Sequence, residues 1–213
     1  MKLIELLEEK NFDYCIVGNS PCEMGNKNGK KIDSHSLIIR FNDFSLEKRF
    51  NKDYGKKVNV WMRGTNDDII YTMKKKKKLI PKLDLILLRA RARRNDRFVE
   101  YAMKNKLNYD FLPKKYELKL TDDLSRCPST GLLLLYFLKR KLGKLDRDRI
   151  HGFSFCKENR EKNPQGGQVH YYNVDRDLYN PKLERVEGIK RSFLISKHNW
   201  GLEEKYFKEV LLK

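Results

Sequence analysis

Two histidines and a few small polar residues carry most of the chemistry this 213-residue chain could perform. His198 stands ahead of Glu203 in the string His198-Asn-Trp-Gly-Leu-Glu203. A histidine with a pKa near 6–7 is matched to removing a hydroxyl proton at neutral pH, although the same residue also reads as a cap on the last helix. His170 opens His170-Tyr171-Tyr172 after the polar segment 165–168, where a lone histidine is ordinarily a surface residue. Pro128-Ser129-Thr130-Gly131 precedes an apolar run, so Ser129 is a good N-cap. The unpaired first-turn amides and the positive dipole end of such a helix suit a phosphate or carboxylate. Gly18-Asn19-Ser20 follows the apolar run 12–17. There a glycine lets the backbone turn, and the Asn amide or Ser hydroxyl can bond a phosphate or ribose; an ordinary turn has the same composition.

These residues need a scaffold that brings distant segments together. Short apolar runs at 12–17, 36–41, 58–62, 83–88 and 150–155 read as strands. An amphipathic N-terminus, 98–106, 131–142 and 198–213 read as helices. Nearly continuous apolar strands alternating with helices predict an α/β, Rossmann-like, mostly parallel sheet with helices on both faces. Ligands in such folds bind at the carboxyl ends of the strands. Residues 18–20 and 42 follow strand ends, and Ser129 opens a helix. With no Pro/Gly/Ser linker and no repeat, residues 1–213 are expected to form a single domain.

Composition narrows the function classes. The chain has 47 Lys plus Arg against 29 Asp plus Glu, a formal net charge of +18. That surplus suits an anionic partner, whether nucleotide phosphate, nucleic acid or acidic membrane, and equally suits solvated lysine faces. Its densest part runs from Lys74 to Arg97 with few interleaved aromatics and no nucleic-acid-binding signature. An anionic membrane or acceptor surface therefore fits that region better than nucleic acid does, with a merely solvated loop the other reading. The longest apolar stretch, 132–138, is far short of the ~20 residues a spanning helix needs. The N-terminus reads as neither a signal peptide nor an anchor. Cys15, Cys22, Cys127 and Cys156 lack metal-ligand spacing and are expected as reduced thiols of a cytoplasmic protein. Two Asp-x-Asp strings, 146–148 and 175–177, read as solvated charge rather than as metal ligands.

Taken in order, the motifs resemble those of the eukaryotic-type sialyltransferases, glycosyltransferase family 29. The first element is Gly18-Asn19-Ser20, then Ile32-Asp33-Ser34-His35 and Arg40-Phe41-Asn42, then Pro128-Ser129-Thr130-Gly131, His170-Tyr171-Tyr172, and His198 with Glu203. The resemblance spans residues 15–203 and implies the GT-A-like variant of the fold. It implies transfer of an acidic sugar, sialic acid by default, from its cytidine monophosphate (CMP) donor, with inversion and without metal or other cofactor. By resemblance Gly18, Asn19, Ser20 and Asn42 contact the nucleotide, and Ser129, Thr130 and Gly131 the nucleotide or sugar carboxylate. His198 is then the catalytic base, and His170 stabilises the departing phosphate. Asp33, His35 and Glu203 are expected to be structural.

The chain departs from the family pattern at several points. Asn173 stands where the third motif usually ends in an acid, and Cys127 where a tyrosine often precedes the proline. The family's disulfide partner in 132–142 is absent, and its membrane anchor and stem are expected to be missing as well, so a secretory-pathway location is not implied. The expected protein is a cytoplasmic, microbial enzyme of surface polysaccharide synthesis, peripheral at most to the inner face of the membrane. Its acceptor would be a glycan or lipid-linked oligosaccharide. CMP-activated 3-deoxy-manno-octulosonate (Kdo) is the alternative donor. A basic nucleic-acid-binding module and a transferase-like nucleotide binder without turnover are the remaining readings.

Overall fold

Alternation along short apolar strands decides the architecture. The computed structural model describes residues 1–64, 76–90, 97–157, 171 and 198–213. Strands β1 (Tyr14–Val17), β2 (Leu37–Phe41), β3 (Val60–Arg63), β4 (Leu85–Leu88), β5 (Tyr109–Phe111) and β6 (Ile150–His151) form one six-stranded sheet in the order β5-β4-β3-β2-β1-β6. Every neighbouring pair is parallel. β1 to β4 are buried at every residue, as a sheet covered on both faces requires.

Because successive side chains point to opposite faces, each strand feeds two cores. Ile16, Ile39, Met62 and Leu87 pack on one side against helices α1 (Lys2–Glu9), α5 (Lys114–Leu124), α6 (Thr130–Leu142) and α7 (Trp200–Tyr206). On the other side, Trp61, Ile86 and Leu88 meet Phe98 and Ala102 of α4 (Arg97–Lys104). Cys15, Val17 and Ile38 meet Ile32 of α2 (Gly29–Ser34) and Tyr54 of α3 (Asn51–Tyr54). The expected parallel α/β sheet with helices on both faces is therefore the observed one.

Local sequence explains most boundaries. α6 starts where the Ser129 hydroxyl accepts a hydrogen bond from the Leu132 amide at 3.2 Å, and it ends at Gly143 with φ 77°. Its three basic residues in the last turn, Lys139, Arg140 and Lys141, suit the negative end of the dipole. The expected strand over 150–155 stops after His151, because Gly152 takes φ 69° and turns the chain across β1. The last helix starts at Trp200 rather than at 198, with the Asn199 side chain as its cap, and continues as a π-helical segment, Phe207–Leu211. Four elements had no counterpart in the sequence reading: the short helices α2 and α3, then α5, which is rich in charge, and β5, an edge strand of three half-buried residues.

Candidate active site

The strand order reverses beside β1. From β1 the chain builds β2, β3, β4 and β5 outward on one side, then crosses back to lay β6 against the other edge of β1. In open parallel sheets the crevice at the carboxyl ends of the strands, at such a switch point, is where ligands bind.

At this switch point Gly18 and Gly152 approach each other backbone to backbone. A Cβ on Gly18 would lie 2.2 Å from the Gly152 carbonyl oxygen, and one on Gly152 would lie 2.5 Å from that of Gly18. The contact is closed by the Gly18 amide donating to the His151 carbonyl at 2.8 Å and the Ser20 amide to that of Gly152 at 3.1 Å. The Ser20 hydroxyl donates to Ser154 Oγ at 2.6 Å and accepts from the Cys22 amide, so it holds the loop and caps the following turn. Asn19 is buried, and its Nδ2 donates to the Phe41 carbonyl at 3.0 Å, tying β1 to the end of β2.

Asn42 ends β2 with φ 45°, a conformation Asn tolerates better than most residues. Its Oδ1 accepts from the Gly64 amide at 2.7 Å, and its carbonyl accepts from Trp61 Nε1 at 2.8 Å. The Asn42 Nδ2 donors have no partner among the described residues. Phe153 joins this half of the crevice to α6. Its ring packs edge-on against Phe41 at 5.7 Å, and a Cβ on Gly131 would lie 2.6 Å from it. Glycine at 131 is what lets the helix start pack onto Phe153.

The start of α6 is held by α7. The Ser129 amide donates to Glu203 Oε1 at 2.8 Å and the Ser129 hydroxyl to Oε2 at 2.6 Å. The Ser129 side chain is thus committed to a clamp and a cap, while the Thr130 and Gly131 amides carry no hydrogen bond among the described residues. Glu203 is 1% exposed. Burial pushes its carboxyl up to about 7, against the two Ser129 donors and the Arg89 charge, which act in the opposite sense.

His198 lies just ahead of that helix, with Nδ1 2.8 Å from the Cys127 carbonyl and 3.7 Å from Glu203 Oε1. A carbonyl can only accept, so Nδ1 carries the proton and the lone pair falls on Nε2, the tautomer a base needs. The indole of Trp200 packs against the ring with centroids 4.9 Å apart. His170 lies outside the described residues. Its neighbour Tyr171 is anchored: the amide donates to the Asn19 carbonyl at 2.9 Å, the ring stacks on Tyr54 at 3.9 Å, and the hydroxyl donates to the Ser45 carbonyl at 2.6 Å.

Asp33 accepts from the Lys56 and Lys57 amides, and His35 bonds Asp13 at 2.6 Å, so both fasten loops. Asp146 caps a turn through the Asp148 amide and pairs with Arg149; Asp175 and Asp177 lie outside the described residues. No group of three or more His, Cys, Asp or Glu suited to a metal occurs among the described residues. No disulfide joins any two of the four cysteines, and burial pushes the thiol of Cys15 up to about 12.

Sequence reasoning missed three residues here. Glu23 is buried beneath the crevice, bonded by the Asn28 side chain at 2.8 Å and the Gly152 amide at 3.2 Å. Burial would raise its pKa, but His151, Asn28, Gly152 and Asn26 together outweigh that and hold it at about 2. Arg89 and Lys76 were read as part of the basic surface and instead are buried, at 4% and 6% exposure. Lys76 donates to the Phe44 carbonyl at 2.6 Å, and Arg89 donates to the Pro128 carbonyl at 3.0 Å. The signal for Arg89 was its place directly after the apolar run of β4, at the carboxyl end of the sheet.

An all-parallel sheet whose switch point is edged by open amide donors and a helix N-terminus defines an α/β protein with a place suited to an anionic ligand. Residues 2–107 match the model of Glycosyltransferase family 29 (sialyltransferase), and the chain belongs to that family of glycosyltransferases. The matched segment contains Gly18–Ser20 and Asn42; Ser129–Gly131 and His198 lie beyond it. Over 97% of its length the chain has the fold of a mammalian sialyltransferase crystallised with Gal-beta-1-3GalNAc-ortho-nitrophenol, at a TM-score of 0.52 and 17% identity, covering 74% of that chain. No curated protein matches it in sequence. No helix among the described residues is long and apolar enough to cross a membrane.

Proposed function

We propose that this transferase moves an acidic sugar from a CMP donor to a glycan hydroxyl, with inversion and without metal. The observation that supports it most is the convergence of Gly18–Ser20, Asn42, Ser129–Gly131 and His198 around one crevice, through the Phe153 and Glu203 contacts. In this reading the Asn42 amide and the Asn19 side chain bind the cytidine monophosphate. The Thr130 and Gly131 amides, at the positive end of α6, face the phosphate and stabilise the charge it gains as it leaves. His198 takes the acceptor proton on Nε2 as the hydroxyl attacks the anomeric carbon through an oxocarbenium-like state. His170 assists the departing phosphate.

Sialic acid is the first donor to test and Kdo the second, because the nucleotide contacts are common to both. The acceptor is proposed to be a glycan or lipid-linked oligosaccharide, and the Gal-beta-1-3GalNAc bound by the structural neighbour is a suitable first probe. A cytoplasmic enzyme, in peripheral contact with an anionic membrane and serving surface polysaccharide synthesis, remains the proposed setting. Incubation of the protein with CMP-sialic acid or CMP-Kdo, acceptor and excess EDTA should release CMP and yield glycosylated acceptor. Absence of turnover with every CMP-activated acid sugar would leave only the nucleotide binder. Activity abolished by EDTA and restored by manganese would refute the metal-free route.

A further inference from the structure

Three successive residues at the start of α6 are each fixed by a different part of the chain. The Cys127 carbonyl accepts from His198, the Pro128 carbonyl accepts from Arg89 at the end of β4, and Ser129 is clamped by Glu203 of α7. Among the described residues, the second terminal nitrogen of Arg89 donates to Glu117 at 2.6 Å and lies 3.5 Å from Cys127 Sγ, while its Nε is buried with no partner. A buried ion pair is often no more stabilising than apolar side chains of the same volume, so stability alone does not account for a guanidinium here. What an apolar group cannot supply is the directed bond to Pro128.

That bond acts on His198 through covalent geometry. The proline ring locks φ at about −65°. The remaining freedom between the Cys127 and Pro128 carbonyls is the ψ of Pro128, which turns a single planar peptide held at its oxygen by Arg89 and at its Ser129 amide by Glu203. Fixing that oxygen therefore aims the Cys127 oxygen, to which His198 Nδ1 is bonded. We propose that Arg89 is a positioning residue for sugar transfer, holding the 127–129 backbone so that His198 meets the acceptor hydroxyl in line. This rests on the reading of His198 as the base.

The test uses Arg89→Met combined with Glu117→Leu, which removes both buried charges together and keeps the volume. The double variant should melt cooperatively and bind CMP as the native chain does, because Ser129 stays clamped by Glu203. Its transfer turnover should fall about 10²-fold, the cost of a misplaced catalytic group. Added to His198→Ala, the same pair should cost little more, since the base it positions is already gone. A folded double variant with native turnover overturns the inference, as does a full additional loss in the His198→Ala background. If His198→Ala alone transfers at the native rate, the base assignment falls and the positioning role with it; a slow His198→Ala beside a native-rate Arg89 variant removes only the latter. Should the double variant not fold, Arg89→Lys, which keeps the charge but loses the planar fork, is held to the same loss of turnover at native CMP affinity. Native turnover in that variant refutes the proposal.

Discussion

At the scale of single residues, Glu203 decides how the last helix holds the crevice, and its charge makes that hold depend on pH. Its carboxyl titrates at about 7 in the folded chain, against 4.5 as the ordinary value, so folding takes up a proton between those values. Its contribution to stability is therefore fully present below about 4.5 and is lost as pH rises through 7, on the order of 3 kcal/mol at most. Asp13 and Glu23 act in the opposite sense, both held at about 2, so their contributions are lost as pH falls from about 4 towards 2. Urea unfolding should show the native chain more stable at pH 5 than at pH 8, and Glu203→Gln should flatten that difference. A native chain equally stable at both values would show that Glu203 is ionised throughout. Ser129→Ala removes both a cap and the donor to Glu203, and should cost about 1–2 kcal/mol of stability. Because that hydroxyl is already spoken for, the loss should appear in the unfolding curve, with CMP affinity much less affected.

At the scale of elements, the crossing of β1 and β6 is the tightest joint in the site. Gly18→Ala places a Cβ 2.2 Å from the Gly152 carbonyl oxygen, backbone against backbone. The strands must part, and a loss on the order of 3 kcal/mol in denaturant unfolding is expected. Gly131→Ala meets only the Phe153 ring, so it should be milder for stability and should instead weaken CMP binding, measured by calorimetry, as the ring is pushed towards the crevice. β1 to β4 and α6 were legible in the sequence because each buries a continuous apolar run with a clear stop. β6 was read too long because Phe153 and Phe155 look like strand residues. They are core residues of a chain that has already turned at Gly152. α5 escaped because Leu120 and Leu124 are spread among seven charged or polar neighbours, and β5 because its three residues alternate too briefly to register. In the site, the residue types and their order were legible. The partners were not: nothing in the one-dimensional pattern says that Glu203 closes on Ser129, or that Arg89 turns inward.

At the scale of the whole molecule, the strand order places the end of β1 at the one reversal in the sheet, and the glycosyltransferase motifs gather there. Among the described residues, Lys76, Arg89 and the fully buried Arg40 serve the interior, which weakens the case that charge alone marks a nucleic-acid surface. In the proposed function the switch-point crevice is the donor-nucleotide site. Calorimetric titration of CMP into the native chain and into Asn19→Ala, Asn42→Ala and Gly131→Ala tests it most directly. Saturable binding by the native chain, weakened in all three variants and retained in His198→Ala, is the predicted result. No CMP binding by the native chain, or an affinity unchanged in all three crevice variants, would contradict it.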